Sequence, residues 1–251
     1  MVISPALVSI RRRLRSPLLV AVIFSVLAVH PAEALTGSDF LPLAVGKSGL
    51  YLRSELGVDP EIITFTVTGT EDIDGTETFV TQQTGGPESG FTQNLASDAN
   101  GVRLFKEQGT VELDTLILEY APPVLWLPGM FELGDNFAMI GNIIANLVGV
   151  GSLNTPYSTS GRIVGREDVT VPGGTFNTIL VEQTLSTLNA VVNTQTWYAK
   201  DIGLVKSVTW NVTQTLDTGR VTLELVPEPS TALLVGTGLL GILAVARRGQ
   251  R

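Results

Sequence analysis

Cysteine is absent from this chain of 251 residues, and histidine occurs once, at His30. The first absence excludes disulfides, thiolate metal sites and a cysteine nucleophile. The second excludes nearly as much. His30 lies in a leader segment expected to be removed, so the mature body has no imidazole. Ser-His-Asp triads, histidine general bases and histidine-ligated zinc or iron are then out of reach. Positive charge is scarce too. Between Leu35 and Val226 nine Lys and Arg face 22 Asp and Glu, a net charge of −13 against −8 for the whole chain. Such a surface repels nucleic acid and other anionic polymers and favours cations and solubility.

What is present begins with a leader. Arg11, Arg12, Arg13 and Arg15 precede an apolar stretch from Pro17 to Val29, and Ala32-Glu33-Ala34 follows. Basic start, apolar middle and small-x-small end form the secretory layout. It predicts a signal helix within residues 1–34, cut after Ala34 by a Sec-type signal peptidase, with Ala32 and Ala34 at the small positions. The body is then residues 35–226, about 190 residues, a size suited to one domain or two small ones.

That body reads as strands. Ile63–Thr68, Thr78–Gln82 and Val111–Leu118 alternate apolar with polar residues. So do Arg162–Val171, Phe176–Thr184, Gln195–Ala199, Leu204–Thr215 and Val221–Val226. A period of two, rich in Val, Ile, Thr and aromatics, turns one face inward and one to water. Asp74-Gly75, Gly85-Gly86-Pro87, Asn100-Gly101, Pro172-Gly173-Gly174 and Thr218-Gly219 read as turns between them. Short links of this kind predict antiparallel meanders. Gly134–Leu153 breaks the pattern: Ile140, Ile143, Ile144 and Leu147 fit a helical face among glycines, which predicts a loop with a helical turn. Phe40–Lys47 and Leu127–Asp135 echo each other, each with a proline, alternating apolar residues and a turn glycine. On that echo each would open one half of a β structure.

The tail differs from everything before it. From Pro229 to Ala246 no residue is charged. Its strongly apolar part, Ala232–Ala246, gives a helix of about 22 Å, short against a hydrocarbon core of about 30 Å. A temporary anchor tolerates that. The expectation is a transmembrane helix over 230–246, with Arg247 and Arg248 held on the cytoplasmic side. Gly236-Thr237-Gly238-Leu239-Leu240-Gly241 matches a dinucleotide fingerprint, but it lacks the preceding strand and the later acidic residue that the fingerprint needs.

Pro227-Glu228-Pro229, the apolar helix and the paired arginines, in that order, resemble the C-terminal sorting signal of PEP-CTERM proteins. The resemblance implies export and recognition by an exosortase, a membrane cysteine protease. Processing near Pro227, Glu228 and Pro229 would follow, with membrane anchoring until then and release or attachment at the outer surface afterwards. It also implies an exopolysaccharide or biofilm setting. The body carries a second resemblance. Phe40-Leu41-Pro42-Leu43 with Gly46 and Tyr51, Glu167–Phe176, and Thr196-Trp197-Tyr198-Ala199-Lys200 followed by Gly203–Lys206 are similar to exported β-rich domains of the LolA/LppX-like or DUF3108-like kind. That resemblance implies a mainly β fold, a single curved antiparallel sheet forming a half-barrel, whose concave face shelters an apolar ligand. Trp197 and Phe176 are expected in its core.

Catalytic chemistry finds little footing. Glu71–Glu77 is the densest acidic patch, yet its spacing is not that of a calcium loop, and an acidic hairpin turn is the simpler reading. Two carboxylates suffice for a glycosidase, but Glu119 and Glu182 are one pair among many. Lys47-Ser48 has no activating context for a Ser-Lys dyad. No catalytic, cofactor-binding or metal-binding residue is expected. The sequence predicts a non-catalytic exported surface or matrix protein. Its alternatives are a carrier of an apolar, lipid-like ligand and, last, a carboxylate-based hydrolase.

Overall fold

The computed structural model describes residues 34–111, 114–213 and 216–227. The expected signal helix and the transmembrane helix over 230–246 lie outside the described residues, as do Ala32, Glu228, Pro229, Arg247 and Arg248. Ala34 and Pro227 lie within them. Among the described residues no helix is long and apolar enough to cross a membrane.

The described residues open with a two-residue strand, β1 (Leu35–Thr36), and one turn of helix, α1 (Gly37–Phe40). A meander follows through β2 (Ser48–Glu55), β3 (Val58–Ile73), β4 (Thr76–Thr84), β5 (Thr92–Asp98), β6 (Gly101–Val111) and β7 (Asp114–Pro128). After a short β8 (Met130–Phe131) come β9 (Asn136–Leu147), β10 (Gly151–Val171) and β11 (Gly174–Thr187). The last three are β12 (Val191–Ala199), β13 (Gly203–Thr213) and β14 (Leu216–Leu225). Neighbours pair antiparallel throughout, as the alternation and short turns require. At the β3–β4 turn Asp74 and Gly75 both take positive φ, 53° and 79°, the conformation in which an Asp-Gly pair matches the twist of a hairpin.

The half-barrel expectation needs correcting. Twelve strands form a closed barrel, with β1 and β8 as a separate two-stranded sheet. Closure comes from β14, whose Val221–Leu225 pairs with Glu55–Tyr51 of β2, and from β7 pairing with β9. Closing the ring leaves no unpaired edge. Alternation in a sequence marks a strand but does not name the strand that lies beside it.

The predicted loop with a helical turn is also wrong. Gly134–Leu153 forms β9 and the start of β10, joined in one hairpin. Phe137, Met139, Gly141 and Ile143 are turned from solvent, while Ala138 and Asn142 are exposed and Ile140 is 78% exposed. Apolar residues on both faces erased the period. Two smaller corrections follow from pairing. Val111–Leu118 is not one strand but straddles the β6–β7 turn, with Val111 opposite Asp114. Thr218-Gly219 is not a turn but falls inside β14.

The two echoing segments do not open two halves. They meet at one end of the single barrel. Leu35 pairs with Phe131, the Phe40 and Phe131 rings lie 5.9 Å apart, and the Gly37 N–H donates to Gly129 O at 3.2 Å. This plug buries Leu35 and Phe40 against Val102, Leu127, Ile163 and Ile179. Both ends of the described residues sit there, since the Val226 N–H donates to Leu50 O at 2.9 Å, beside the entry into β2. A second cluster, with Leu95, Leu104, Tyr120, Ile143 and Tyr157, fills the side formed by β5–β7, β9 and β10. Tyr120 and Tyr157 meet edge to face at 5.8 Å. Side chains just fill a barrel of about eight strands. Twelve strands enclose more, and these clusters leave part of the interior empty.

Candidate functional site

The unfilled part is a cavity of about 750 Å³, partly open to solvent, chiefly against β2–β4 and β12–β14. Alternate residues of each strand reach into it, as the pleat dictates: Gly49, Tyr51 and Arg53 from β2, and Thr194, Thr196 and Tyr198 from β12. The lining changes along the barrel axis. Near the plug it carries Leu41, Leu43, Tyr198, Leu204 and Leu225, with Lys47, Ser48 and Asp201 beside them. Toward the opposite turns Arg53, Gln83, Gln93, Glu107, Thr194 and Thr209 stand among the apolar Phe91, Val221 and Leu223.

Each charged wall residue has its own setting. Arg53 binds Glu55 at 2.6 Å and Glu61 at 2.9 Å. The Lys47 ammonium donates to Pro42 O at 3.1 Å, and burial lowers its pKa, partly offset by Asp201. Glu107 accepts from Gln93 Nε2 at 2.8 Å and from the Tyr120 hydroxyl at 2.6 Å. Burial, reinforced by Glu107, pushes the Tyr120 hydroxyl well above the ordinary tyrosine range. Tyr51, whose hydroxyl donates to Leu204 O at 3.1 Å, is pushed up by burial alone.

The residues singled out in the sequence mostly lie elsewhere. Glu71–Glu77 is the β3–β4 hairpin tip, where Asp72 Oδ1 accepts from the Gly75 N–H at 3.0 Å. Glu71 accepts from Lys106 Nζ and Asn94 Nδ2, both at 2.8 Å, and these bonds lower its pKa. Among the described residues no group of three or more His, Cys, Asp or Glu is placed to hold a metal ion. Glu119 pairs opposite Lys106 on β6, and Glu182 opposite Arg162 on β10. Neither lines the cavity. Lys47 and Ser48 both line it, but among the described residues no side-chain hydrogen bond joins them.

Phe176 packs with Val171, Ala199 and Val205 in a third core cluster. Trp197 is not core. It is half-buried away from the cavity, with its indole N–H donating to Glu167 and Lys206 Nζ 5.8 Å from its ring centroid. Arg53, Gln93 and Glu107 were missed, although all sit in alternating runs. Polar residues occupy both faces there, so the period alone does not say which face is inside.

Because the Glu71 carboxyl has a lowered pKa when folded, its stabilisation is present above the ordinary carboxylate range and lost as pH falls through the folded value. With the side chain 45% exposed, the contribution is screened. Glu71→Gln should therefore flatten the acid side of a stability-versus-pH curve slightly and leave the neutral side within about 0.5 kcal/mol, read by urea unfolding.

The DUF3108-like family matches residues 151–221, the span from β10 into β14, and the PEP-CTERM protein-sorting motif matches residues 225–248. This is an exported protein with a PEP-CTERM sorting tail. Its DUF3108-like segment supplies one side of the cavity, including Thr194, Thr196, Tyr198 and Thr209. Neither matched family is a catalytic one. No curated protein matches the chain. Among solved structures it is similar to the hypothetical lipoprotein YmcC from Escherichia coli, at 10% identity over 78% of this chain and 90% of that one, with a TM-score of 0.39. It is also similar to a protein from Bacteroides fragilis described as exported with a YmcC-like fold, at 14% identity over 74% of this chain and 97% of that one, with a TM-score of 0.38.

Proposed function

We propose that the protein is a non-catalytic carrier that shelters an apolar or amphipathic small molecule inside its barrel, at the cell surface or in the matrix to which its tail directs it. One observation carries this reading: a cavity of about 750 Å³ inside the barrel whose wall combines leucines and aromatics with a few polar side chains. Ligand sites span roughly 300–1,000 Å³ and combine apolar walls with a few placed polar groups. A hydrolase gains no support from the same walls, since Glu119 and Glu182 stand outside them.

The tail supplies delivery. In this reading an exosortase recognises Pro227, Glu228 and Pro229, the apolar stretch over 230–246 anchors the chain transiently, and Arg247 and Arg248 stay cytoplasmic. A signal peptidase reads Ala32 and Ala34, and the first strand starts at Leu35, directly after that site. Association with exopolysaccharide or a biofilm rests on the sorting motif alone.

Native mass spectrometry of protein purified from its own envelope tests the carrier. A bound, solvent-extractable mass is expected. A second arm fills the void: Leu223 lines the cavity without being fully buried, so Leu223→Trp should place its ring in the space. Uptake of a neutral apolar fluorophore should fall at least about tenfold, while Tm moves by no more than a few degrees, about 1 kcal/mol. An empty protein that takes up no fluorophore refutes the reading.

A further inference from the structure

We infer that the cavity is built for single-chain amphiphiles with an ammonium head group, and that Glu107 reads the head. This rests on the carrier reading and adds to it the sign of the ligand's charge.

The cation at the polar end of the wall is already engaged. Arg53 is held by Glu55 and Glu61 at 2.6 and 2.9 Å. Lys47 donates to Pro42 O and lies in the field of Asp201. Arg53 therefore offers no free positive charge at the polar end, while Lys47, which enters no ion pair among the described residues, stands at the plugged end, away from Glu107. The carboxylates at that end are not matched in the same way. Glu107 accepts only from neutral donors, Gln93 and the Tyr120 hydroxyl. Among the described ion pairs none includes it. A carboxylate has about four acceptor positions, so two remain for a ligand. Glu88, exposed on the β4–β5 loop, lines the same cavity and adds a second negative charge.

An anionic head brought to this wall meets like charge in a partly desolvated space, where Coulomb terms exceed those in water. An ammonium carries three donors and no acceptor, which suits a carboxylate with open positions. Gln93 and Tyr120 fix the carboxylate in advance, so little ordering is left to pay on binding. The hydrocarbon chain then lies toward Leu41, Leu43 and Leu204 at the plugged end. The ligand class is a long-chain amine rather than a fatty acid.

The test is displacement of the neutral fluorophore N-phenyl-1-naphthylamine from the exported protein, at neutral pH and low salt, by dodecylammonium or by dodecanoate. Dodecylammonium should displace it at a concentration at least about tenfold lower, as expected of a charge-assisted contact. Glu107→Gln, which keeps the side chain's shape, should bring the two within about twofold by weakening the amine. Dodecanoate displacing as well as or better than the amine in the unmodified protein overturns the inference without any variant. So does an unchanged ratio in a folded Glu107→Gln protein. A fluorophore that enters but yields equally to both chains leaves the carrier standing and removes only the ammonium preference. One that never enters removes both.

Discussion

Taken through about pH 10, where an ordinary tyrosine ionises, the folded protein should show almost no tyrosinate absorbance. All four tyrosines of the chain are buried, Tyr51 and Tyr198 along the cavity wall and Tyr120 and Tyr157 in the packed side of the barrel. Burial raises each of them, first and foremost, with Tyr157 pushed up to about 12 and the other three higher. The unfolded chain gives up these protons near pH 10 while the folded one keeps them. The stabilisation is therefore complete below about pH 10 and is lost as pH rises toward the folded values. Each tyrosine contributes at most about 1.4 kcal/mol per pH unit over that window, so four together remove at most about 5.6 kcal/mol per unit, enough to exhaust the stability of a domain within two or three units. Tyrosinate absorbance should rise in one step, coincident with loss of the far-ultraviolet β signal. A gradual rise near pH 10 in a protein that keeps its native circular dichroism would show that one of the four is in contact with water.

The second large effect is expected at Gly129, where the plug meets the barrel. A Cβ placed there would lie 1.9 Å from Ala99 O and 2.8 Å from Ala99 C. Both are backbone atoms of the β5–β6 turn and have no side-chain freedom with which to retreat. The carbonyl of Gly129 also receives the Gly37 N–H that moors α1. Gly129→Ala must move the turn, the plug or both, at a cost of about 3 kcal/mol or more. For a domain of this size that lowers Tm by about 6–12 °C. Gly69→Ala is the control, since a Cβ there meets nothing within 4 Å. It should stay within about 1 kcal/mol of the unmodified protein. Equal melting of the two variants would mean that the close approach at Gly129 does not constrain the fold.

Reading the strands from the sequence worked where one face was apolar and the other polar. Ile63–Thr68, Arg162–Val171 and Phe176–Thr184 all fall within strands. It failed at β9, where Ile140 points outward and Gly141 inward, so hydrophobicity no longer tracks direction. Closure was not legible either. The pairing of Leu225 with Tyr51 joins positions 174 residues apart, and no local pattern encodes a partner at that distance. The site was hidden for a related reason. A barrel with a partly polar interior places Gln93 and Glu107 inside and Glu167 and Glu182 outside, and the residue types alone do not separate the two sets. Only the tail, whose signal is contiguous, was readable in full as a motif, and its match to 225–248 agrees with that.

The ladder contact from Val226 to Leu50 has a consequence for delivery. It ties the strand down one residue before Pro227, so no spacer separates the barrel from the sorting sequence. At about 3.4 Å per residue, a cut between Pro227 and Pro229 falls within about 10 Å of the wall. A peptidase working there needs a shallow catalytic groove able to abut a bulky globule, or must first peel Leu225 and Val226 from their neighbours.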